Sequence, residues 1–533
     1  MQANELDVLV VGAGPVGLTL AGQLARRGLR VAAIDKGPGP TDKSKALVLW
    51  PRTLELLAAA GVVEPFLAAG LRVRGGRVFG RQGQLAWIDF SRNASAYPFV
   101  LMIPQSATEQ LLDAAARAAG AAVERHTELM RFSADASGVH AVVRDADGVE
   151  QQRDAAWLVG CDGAHSTVRH ALGLAFAGSA ENNDWALADV RIDGDLPRDE
   201  VRMFLHPDGV VAAFPLPPDR TRLIIELGPA RGAQPHDPTL VDVQALLDER
   251  APGLRAVDPA WLGGFRINER QVPTYRIGRV FLAGDAAHVH SPAGGQGMNT
   301  GMHDAFNLAW KLGLVQGGRG RETLLDSYQA ERHPIGAMIV RGAGALTSMA
   351  TLRGTRAQQL RNRVVPILAR LPPLQRRIVN LLCEVSIHYR GATLSRDARS
   401  AAVRLAARWG GVRAGERLPD AELRQANGEA VRLFDLLRTP AHVLLMLAPD
   451  ATAAGIAAQL AGRYGALLEA VLVSRPGAPA PANGLRVLHD ADSALHRAYA
   501  ASQPTAVVVR PDGYVGYLGP AGGVAEYLAT YLM

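Results

Sequence analysis

Three short stretches of this 533-residue chain combine residue types and spacings that suit chemistry on a large polar ligand. The first is Gly12-Ala13-Gly14-Pro15-Val16-Gly17. There the first glycine permits a tight turn, the second lets backbone approach a pyrophosphate, and the third lets a helix close onto the preceding strand. An acid follows at Asp35, where a carboxylate can accept hydrogen bonds from both hydroxyls of a ribose. The second stretch is Asp162-Gly163 and the third Gly284-Asp285, each an acid beside a glycine at the end of an apolar run. Beyond Asp285 come Pro292 and then glycines at 294, 295 and 297, a loop nearly bare of side chains. Such a loop suits a flat ligand lying against backbone N–H groups.

The elements that must position these residues are also legible. Val8–Val11 reads as a short strand, Leu18, Leu20 and Leu24 as one face of a helix, Gly28 as its stop, and Val31–Ile34 as a second strand. Strand, glycine turn, helix, strand and terminal acid together make a βαβ dinucleotide unit, without choosing between FAD and NAD(P). "WLVGCDG" and "RVFLAGD" are two further strands that run out into Asp and Gly, at the sheet edge where α/β ligands bind. Three such ends from distant parts of one chain point to one extended ligand. No second GxGxxG opens a helix, so one nucleotide fold is expected.

Composition narrows the class. The 57 basic and 51 acidic residues are spread along the chain without a Lys/Arg block, which argues against nucleic acid and leaves an anionic substrate or cofactor as the milder reading of the +6 charge. The two cysteines, Cys161 and Cys383, form no CxxC or metal-spaced cluster, so no metal and no disulfide framework are expected, and a reducing, cytoplasmic setting fits. The longest uncharged run, Leu9–Ala25, is broken by glycines and a proline and reads as strand–turn–helix, not as a membrane span. The length implies two or three domains.

The segments "GAGPVG", "CDGAHSTVR" and "GDAAHVHSPAGGQGMNTGMHDAFNLAWKL" resemble the three motifs of the class A flavoprotein monooxygenases, the family of p-hydroxybenzoate hydroxylase and the phenol and polyketide hydroxylases. The similarity covers roughly residues 5–340. It implies an α/β fold: a Rossmann-like, glutathione-reductase-type FAD-binding domain (1–180 and 266–340, with part of the 72–100 strands) and an inserted mixed β-sheet substrate domain (181–265). A helical linker (341–411) and a C-terminal thioredoxin-like domain (412–533) complete it. The resemblance assigns Gly12, Gly14, Pro15, Val16, Gly17, Asp162 and Gly163 to the pyrophosphate region. Asp35, where the family more often has Glu, goes to the adenosine ribose and Asp285 to the ribityl hydroxyls, with Lys36 and Gly284 beside them among the cofactor-binding residues. Pro292, Gly295, Gly297, Met298 and Asn299 would line the isoalloxazine ring. Gln105 resembles a flavin-contacting glutamine; Lys45 stands where the family usually has Arg, and Arg52 is a second candidate for that contact.

The implied activity is an FAD-dependent monooxygenase that consumes NADPH or NADH and O2 and hydroxylates a small phenolic or other aromatic substrate through a flavin C4a-hydroperoxide; a phenylpropionate-type acid, a simple or halogenated phenol and a polycyclic polyketide all fit. The cofactor carries that chemistry, so no acid–base dyad is expected; Pro292, Gly295 and His290 are the candidates beside the reacting ring. The protein would act as a monomer or homodimer without nucleic acid or membrane. A flavin-dependent halogenase is the nearest rival, though the chain lacks WxWxIP; a redox scaffold is another.

Trp87, Tyr97, Trp185, Met203 and Phe214 lie in a region of alternating strand pattern. Singly each reads as sheet core; as a group they suit a pocket for a flat aromatic ring. His288 and His290 have a plainer reading as partners of loop carbonyls, and Cys161 as packing. After Arg332-His333-Pro334 the pattern turns helical, with a break at Pro372-Pro373. From about Val412, "HVLLMLAP" and "LEAVLVS" read as strands around a helix, followed by a hairpin turning at Pro511-Asp512-Gly513, with Pro504 a candidate cis-proline. This order resembles the thioredoxin-like appendix of larger hydroxylases, and the absence of cysteine from it excludes disulfide exchange.

Overall fold

The computed structural model describes residues 6–533 apart from 42–45, 231, 233, 409 and 476–483. The last four residues of the strand Leu6–Val11 are buried, as a central parallel strand requires. It pairs in parallel with Val31–Ile34 on one side and with Glu150–Gly160 on the other, and the latter pairs in parallel with Val280–Leu282. Ala122–Glu124 extends the row beyond Val31–Ile34. Helix α1 (Pro15–Ala25) joins the first two strands and buries Leu18, Leu20 and Leu24 at 1% exposure or less. Helix α2 (Pro51–Ala59) and the long helices α3 (Gly297–Gln316) and α4 (Asp326–Ala350) pack around this sheet.

A second sheet of eight strands carries, in order, His288–Val289, Arg255–Gln271, Ala177–Asp193, Arg220–Pro229, Gly209–Leu216, Glu200–His206, Gly75–Gly80 and Gly83–Asp89. Side chains alternate across it. Ala186, Ala188, Val211, Ala213, Leu223 and Ile225 pack under the helix Leu240–Arg250, while Trp185, Leu205, Val210 and Ile267 face the other way. The strands Ala177–Asp193 and Arg255–Gln271 continue through the boundaries expected at 180/181 and 265/266. The sheet therefore reaches further toward the nucleotide unit than the sequence suggested, because the same strands serve both layers.

Past α4, helix α5 (Thr355–Leu368) and helix α6 (Pro372–Leu382) follow one another across a three-residue turn. The break falls at 369–371, and Pro372 opens α6, where a missing N–H costs nothing. In the C-terminal unit the helix Ala451–Tyr464 joins the parallel strands His442–Leu447 and Leu468–Ser474, and Thr505–Val509 and Val515–Gly519 make the expected hairpin. Gly513, at φ +75°, supplies its turn. Among the described residues the one cis peptide bond is Pro217–Pro218. The expectation for Pro504 is corrected: the following Thr505 is already paired with Leu447, and the chain enters that strand trans.

Candidate functional site

The register of the first sheet decides where the three motifs meet. Val11 pairs with Gly160, and Gly160 with Leu282, so the residues that follow each strand emerge side by side at one carboxyl edge. The Cys161 N–H donates to the Val11 carbonyl at 2.7 Å, and the Ala283 N–H to that of Gly160 at 3.0 Å. Gly12, at φ +99°, has no room for a side chain, since a Cβ there would lie 2.4 Å from the Cys161 carbonyl oxygen. At Gly14 the opposite holds: a Cβ would meet nothing within 4 Å. In α1 the first helical bond runs from the Leu18 N–H to the Gly14 carbonyl (2.9 Å), and no side chain caps the end. The Val16 and Gly17 amides therefore stand without helical partners at the positive end of the dipole, facing that open space.

The glycine loop is held from behind. Gly294 and Gly295 have φ of +91° and +60°, which other residues rarely adopt. Trp50 Nε1 donates to the Gly294 and Gly295 carbonyls at 2.9 and 3.2 Å. The Asn299 amide donates to the carbonyls of Val48 (2.8 Å) and Gly295 (3.0 Å), and its oxygen accepts from the Trp50 N–H (2.9 Å) and Thr53 Oγ1 (2.7 Å). With the Thr300 N–H donating to the Gln296 carbonyl at 2.8 Å and no side-chain cap, the amides of Gly297, Met298 and Asn299 open the 20-residue helix α3 unpartnered within it. His290 flanks this end. Its Nδ1 lies 2.8 Å from the Ser291 carbonyl, which only accepts, so Nδ1 carries the proton and buried Nε2 presents a lone pair with no partner among the described residues. Burial brings its pKa down to about 4 despite that backbone bond, so the ring is neutral at neutral pH.

A buried ion cluster underlies the third motif. Asp304 accepts from Arg332 Nε at 2.6 Å, from His288 Nε2 at 2.8 Å and from the Gly284 N–H at 3.1 Å. Burial alone would raise its pKa; Arg332 and His288 outweigh that and hold it down to about 2. The charge thus fixes Gly284 at the sheet edge. Asp162 accepts from the Val168 N–H at 3.2 Å, while its buried Oδ1 has no partner among the described residues, and burial raises its pKa.

Several candidate residues do other work than the sequence suggested. Arg52 is 1% exposed and turns away from the glycine loop; it pairs with Glu55 (3.0 Å) and donates to the Asp512 carbonyl (2.8 Å) of the C-terminal unit. The Asn299 side chain is fully spent on backbone and Thr53, leaving only its amide N–H for a ligand. Both Asp35 oxygens accept from the turn itself, from the Ala13 and Gly37 N–H groups at 2.7 Å each, so the carboxylate first braces the glycine turn. Gln105 accepts from the Ala46 N–H at 2.9 Å and donates to Glu109 at 2.8 Å. Lys36 is exposed, as is Asp285, and Lys45 lies outside the described residues.

The aromatic group divides. Met203 packs with buried Trp185 on the sheet face beneath the end of α4. Phe214 belongs to a separate cluster with Val48, Trp50 and Met102 beside the glycine loop. Trp87 lies under Arg77 (4.8 Å) near the sheet's outer edge. Tyr97 packs edge-on against Phe99 and on the core of the first sheet, and burial together with Glu64, Glu55 and Asp420 pushes its pKa up to about 12. Trp50, Asp304 and Arg332 were missed, although Asp304 lies within the quoted third motif and Trp50 directly precedes "PRTLELL".

An edge with a Cβ-intolerant turn, open space before Gly14 and two uncapped helix ends fits an elongated ligand with a central pyrophosphate. The comparisons agree with that shape. A family described as FAD binding domain matches residues 5–343, and one described as aromatic-ring hydroxylase, C-terminal, matches 412–533. The 6-methylpretetramide 4-monooxygenase of Streptomyces rimosus is 36% identical over 99% of this chain and 93% of its own length. The pentachlorophenol 4-monooxygenase of Sphingobium chlorophenolicum is 33% identical over 96% and 94%. Among solved structures, the anhydrotetracycline hydroxylase from Streptomyces rimosus superposes with a TM-score of 0.79 at 33% identity, covering 99% of both chains. Aklavinone-11 hydroxylase, solved with FAD and aklavinone, gives 0.79 at 27% over 99% of both. With both matched regions and the relatives' full-length coverage in accord, the chain belongs to the FAD-dependent aromatic-ring monooxygenases.

Proposed function

We propose that this monooxygenase hydroxylates a polycyclic phenolic substrate, and that its own residues divide the work as follows. When bound, FAD reduced by NADPH or NADH activates O2 and delivers one oxygen atom to the ring. The Val16 and Gly17 amides and the positive end of α1 hold the pyrophosphate. Asp162 Oδ1, a buried acceptor without a donor among the described residues, takes a hydrogen bond from the same ligand. The amides opening α3 favour negative charge on whatever lies along the glycine loop, without reorganisation. His290 Nε2 accepts a hydrogen bond from a ligand hydroxyl seated there. Trp185, Met203 and Phe214 supply apolar walls that exclude water.

The alignment of three strand ends at one edge carries this reading. Relatives whose names give tetracyclic or phenolic substrates support the substrate class. The test is reconstitution with FAD, followed by NADPH or NADH oxidation with and without a panel of polycyclic phenols under isotope-labelled O2. Ring-dependent oxidation with one labelled oxygen in the product is expected. A chain that takes up no flavin, or oxidises the reductant equally without any ring, would overturn the proposal.

A further inference from the structure

Helices α5 and α6 carry exposed apolar residues that take no part in the proposed chemistry. On α5 and just beyond it, Leu360, Val364, Ile367, Leu368 and Leu371 are 64, 38, 64, 42 and 48% exposed, at spacings that make one helical stripe. On α6, Ile378 and Leu381 add 39 and 47%. Scattered apolar residues on a surface are ordinary; seven on two consecutive helices, five of them in a single stripe, are more than scatter. Its charge is one-sided, since residues 333–383 contain eight arginines and no Asp, Glu or Lys. Of these, Arg356, Arg363, Arg370, Arg376 and Arg377 are exposed and make no ion pair or side-chain hydrogen bond among the described residues. An apolar stripe flanked by unpaired guanidinium groups is the chemistry of a helix lying in a lipid–water interface: aliphatic groups enter the acyl boundary while arginines reach the anionic headgroups. A second copy of the chain fits poorly, because it would set two acid-free arginine faces against each other. At 14 and 11 residues the helices are too short to span, and no described helix is long and apolar enough to do so.

The inner side of α6 packs on the cluster beside the glycine loop. Val379 and Cys383 are buried with Val48, Trp50 and Met102, and Phe214 packs on that cluster. Gln296 Nε2 donates to the Leu381 carbonyl at 3.1 Å, and Gln375 Nε2 to that of Trp87 at 3.0 Å. Helix α6 thus backs the site, and together with α5 it turns apolar and basic side chains outward. We propose that α5 and α6 dock this monooxygenase peripherally on an anionic lipid surface, placing the site wall against the layer in which a polycyclic aromatic substrate dissolves. The link to substrate supply rests on the proposed function; the docking does not. It also departs from the expectation that no membrane is involved, since a surface contact needs no span.

The test is co-sedimentation of the FAD-loaded protein with vesicles of phosphatidylcholine alone or mixed with phosphatidylglycerol. Binding is expected only with the anionic lipid and is lost in concentrated salt, where screening shortens to roughly 3 Å at about 1 M. Arg363→Glu with Arg370→Glu, and separately Leu360→Ser with Ile367→Ser, are each expected to weaken it by more than about tenfold with flavin content and melting unchanged. No sedimentation with the anionic vesicles, equal sedimentation with both lipids, or variants that bind as well as the parent overturns the proposal. So does a dimer in solution that the serine variants dissociate, since a second copy would then cover the face. Turnover of a water-soluble phenol is followed in parallel: hydroxylation without vesicle binding removes only the docking, and vesicle binding without hydroxylation removes only the function.

Discussion

Glu384 shows how a single buried proton bears on the glycine loop. It is fully buried, holds a left-handed φ of +59°, and accepts from Thr300 Oγ1 at 3.1 Å. Its Oε2 faces His303 Nδ1 at 3.4 Å; His303 Nε2 lies 3.0 Å from Thr53 Oγ1, which donates to Asn299, the residue that ties down the loop. Burial raises the Glu384 pKa to about 8, only partly opposed by Thr300 and Arg332, so the acid is protonated at neutral pH. The folded pKa exceeds the ordinary 4.5, so between these values the folded state holds a proton that the unfolded state has released. Stability therefore falls as pH rises from about 4.5 to about 8 and then levels. Glu384→Gln keeps the shape and removes that dependence. Denaturant titrations at pH 5 and pH 8 are expected to show the variant gaining on the parent at the higher pH; parallel pH dependences would remove the protonated acid from the account. At the loop's other flank, His290→Phe deletes the Nε2 lone pair. It is expected to weaken binding of a phenolic ligand by up to roughly tenfold, measured by quenching of intrinsic fluorescence, with FAD content unchanged.

At the scale of the element, Gly12 and Gly14 separate the two demands placed on the first turn. Gly12→Ala puts a methyl 2.4 Å from the Cys161 carbonyl in a left-handed conformation that costs roughly 1–2 kcal/mol by itself, so the strands must part and the protein is expected to be less stable and colourless. Gly14→Ala meets no protein atom within 4 Å. The apoprotein should melt like the parent while FAD affinity falls by on the order of tenfold or more, because the methyl enters space that only a ligand would use. Equal FAD affinity in Gly14→Ala would place the pyrophosphate elsewhere. The same contrast explains what the sequence could reveal. Strand ends at Val11, Gly160 and Leu282 are local patterns, an apolar run stopped by Gly or Asp, and parallel pairing then aligns them. Arg52 and Asn299 also sit among motif residues, yet Arg52 is claimed by a carbonyl 460 positions away and Asn299 by the backbone of Val48. Such partners are set by tertiary packing, which leaves no period or spacing in the chain.

For the whole molecule, the C-terminal unit is joined to the cofactor-binding sheet by buried charge. Arg510, fully buried, donates to both oxygens of Glu331 on α4 and to Asp512. Glu331 also accepts from Lys311 Nζ at 2.7 Å, and Asn307 on α3 donates to Asp512 at 3.1 Å. Burial would raise the Glu331 pKa, but Arg510 and Lys311 hold it down to about 2, below the ordinary 4.5. This group's contribution is thus present above about pH 4.5 and is lost as pH falls toward 2. The next residue, Arg332, holds Asp304 and through it Gly284. Arg510→Met therefore leaves two buried carboxylates short of a cation. It is expected to cost about 3–5 kcal/mol in denaturant unfolding and to speed loss of FAD. Adding Glu331→Gln removes one stranded charge, and Lys311, which burial already brings down to about 8, can then shed its proton. The double variant should lie above the sum of the singles by roughly 1–3 kcal/mol, whereas strict additivity would mean that the two units are held by apolar packing alone and that the ion network does not join tail to cofactor.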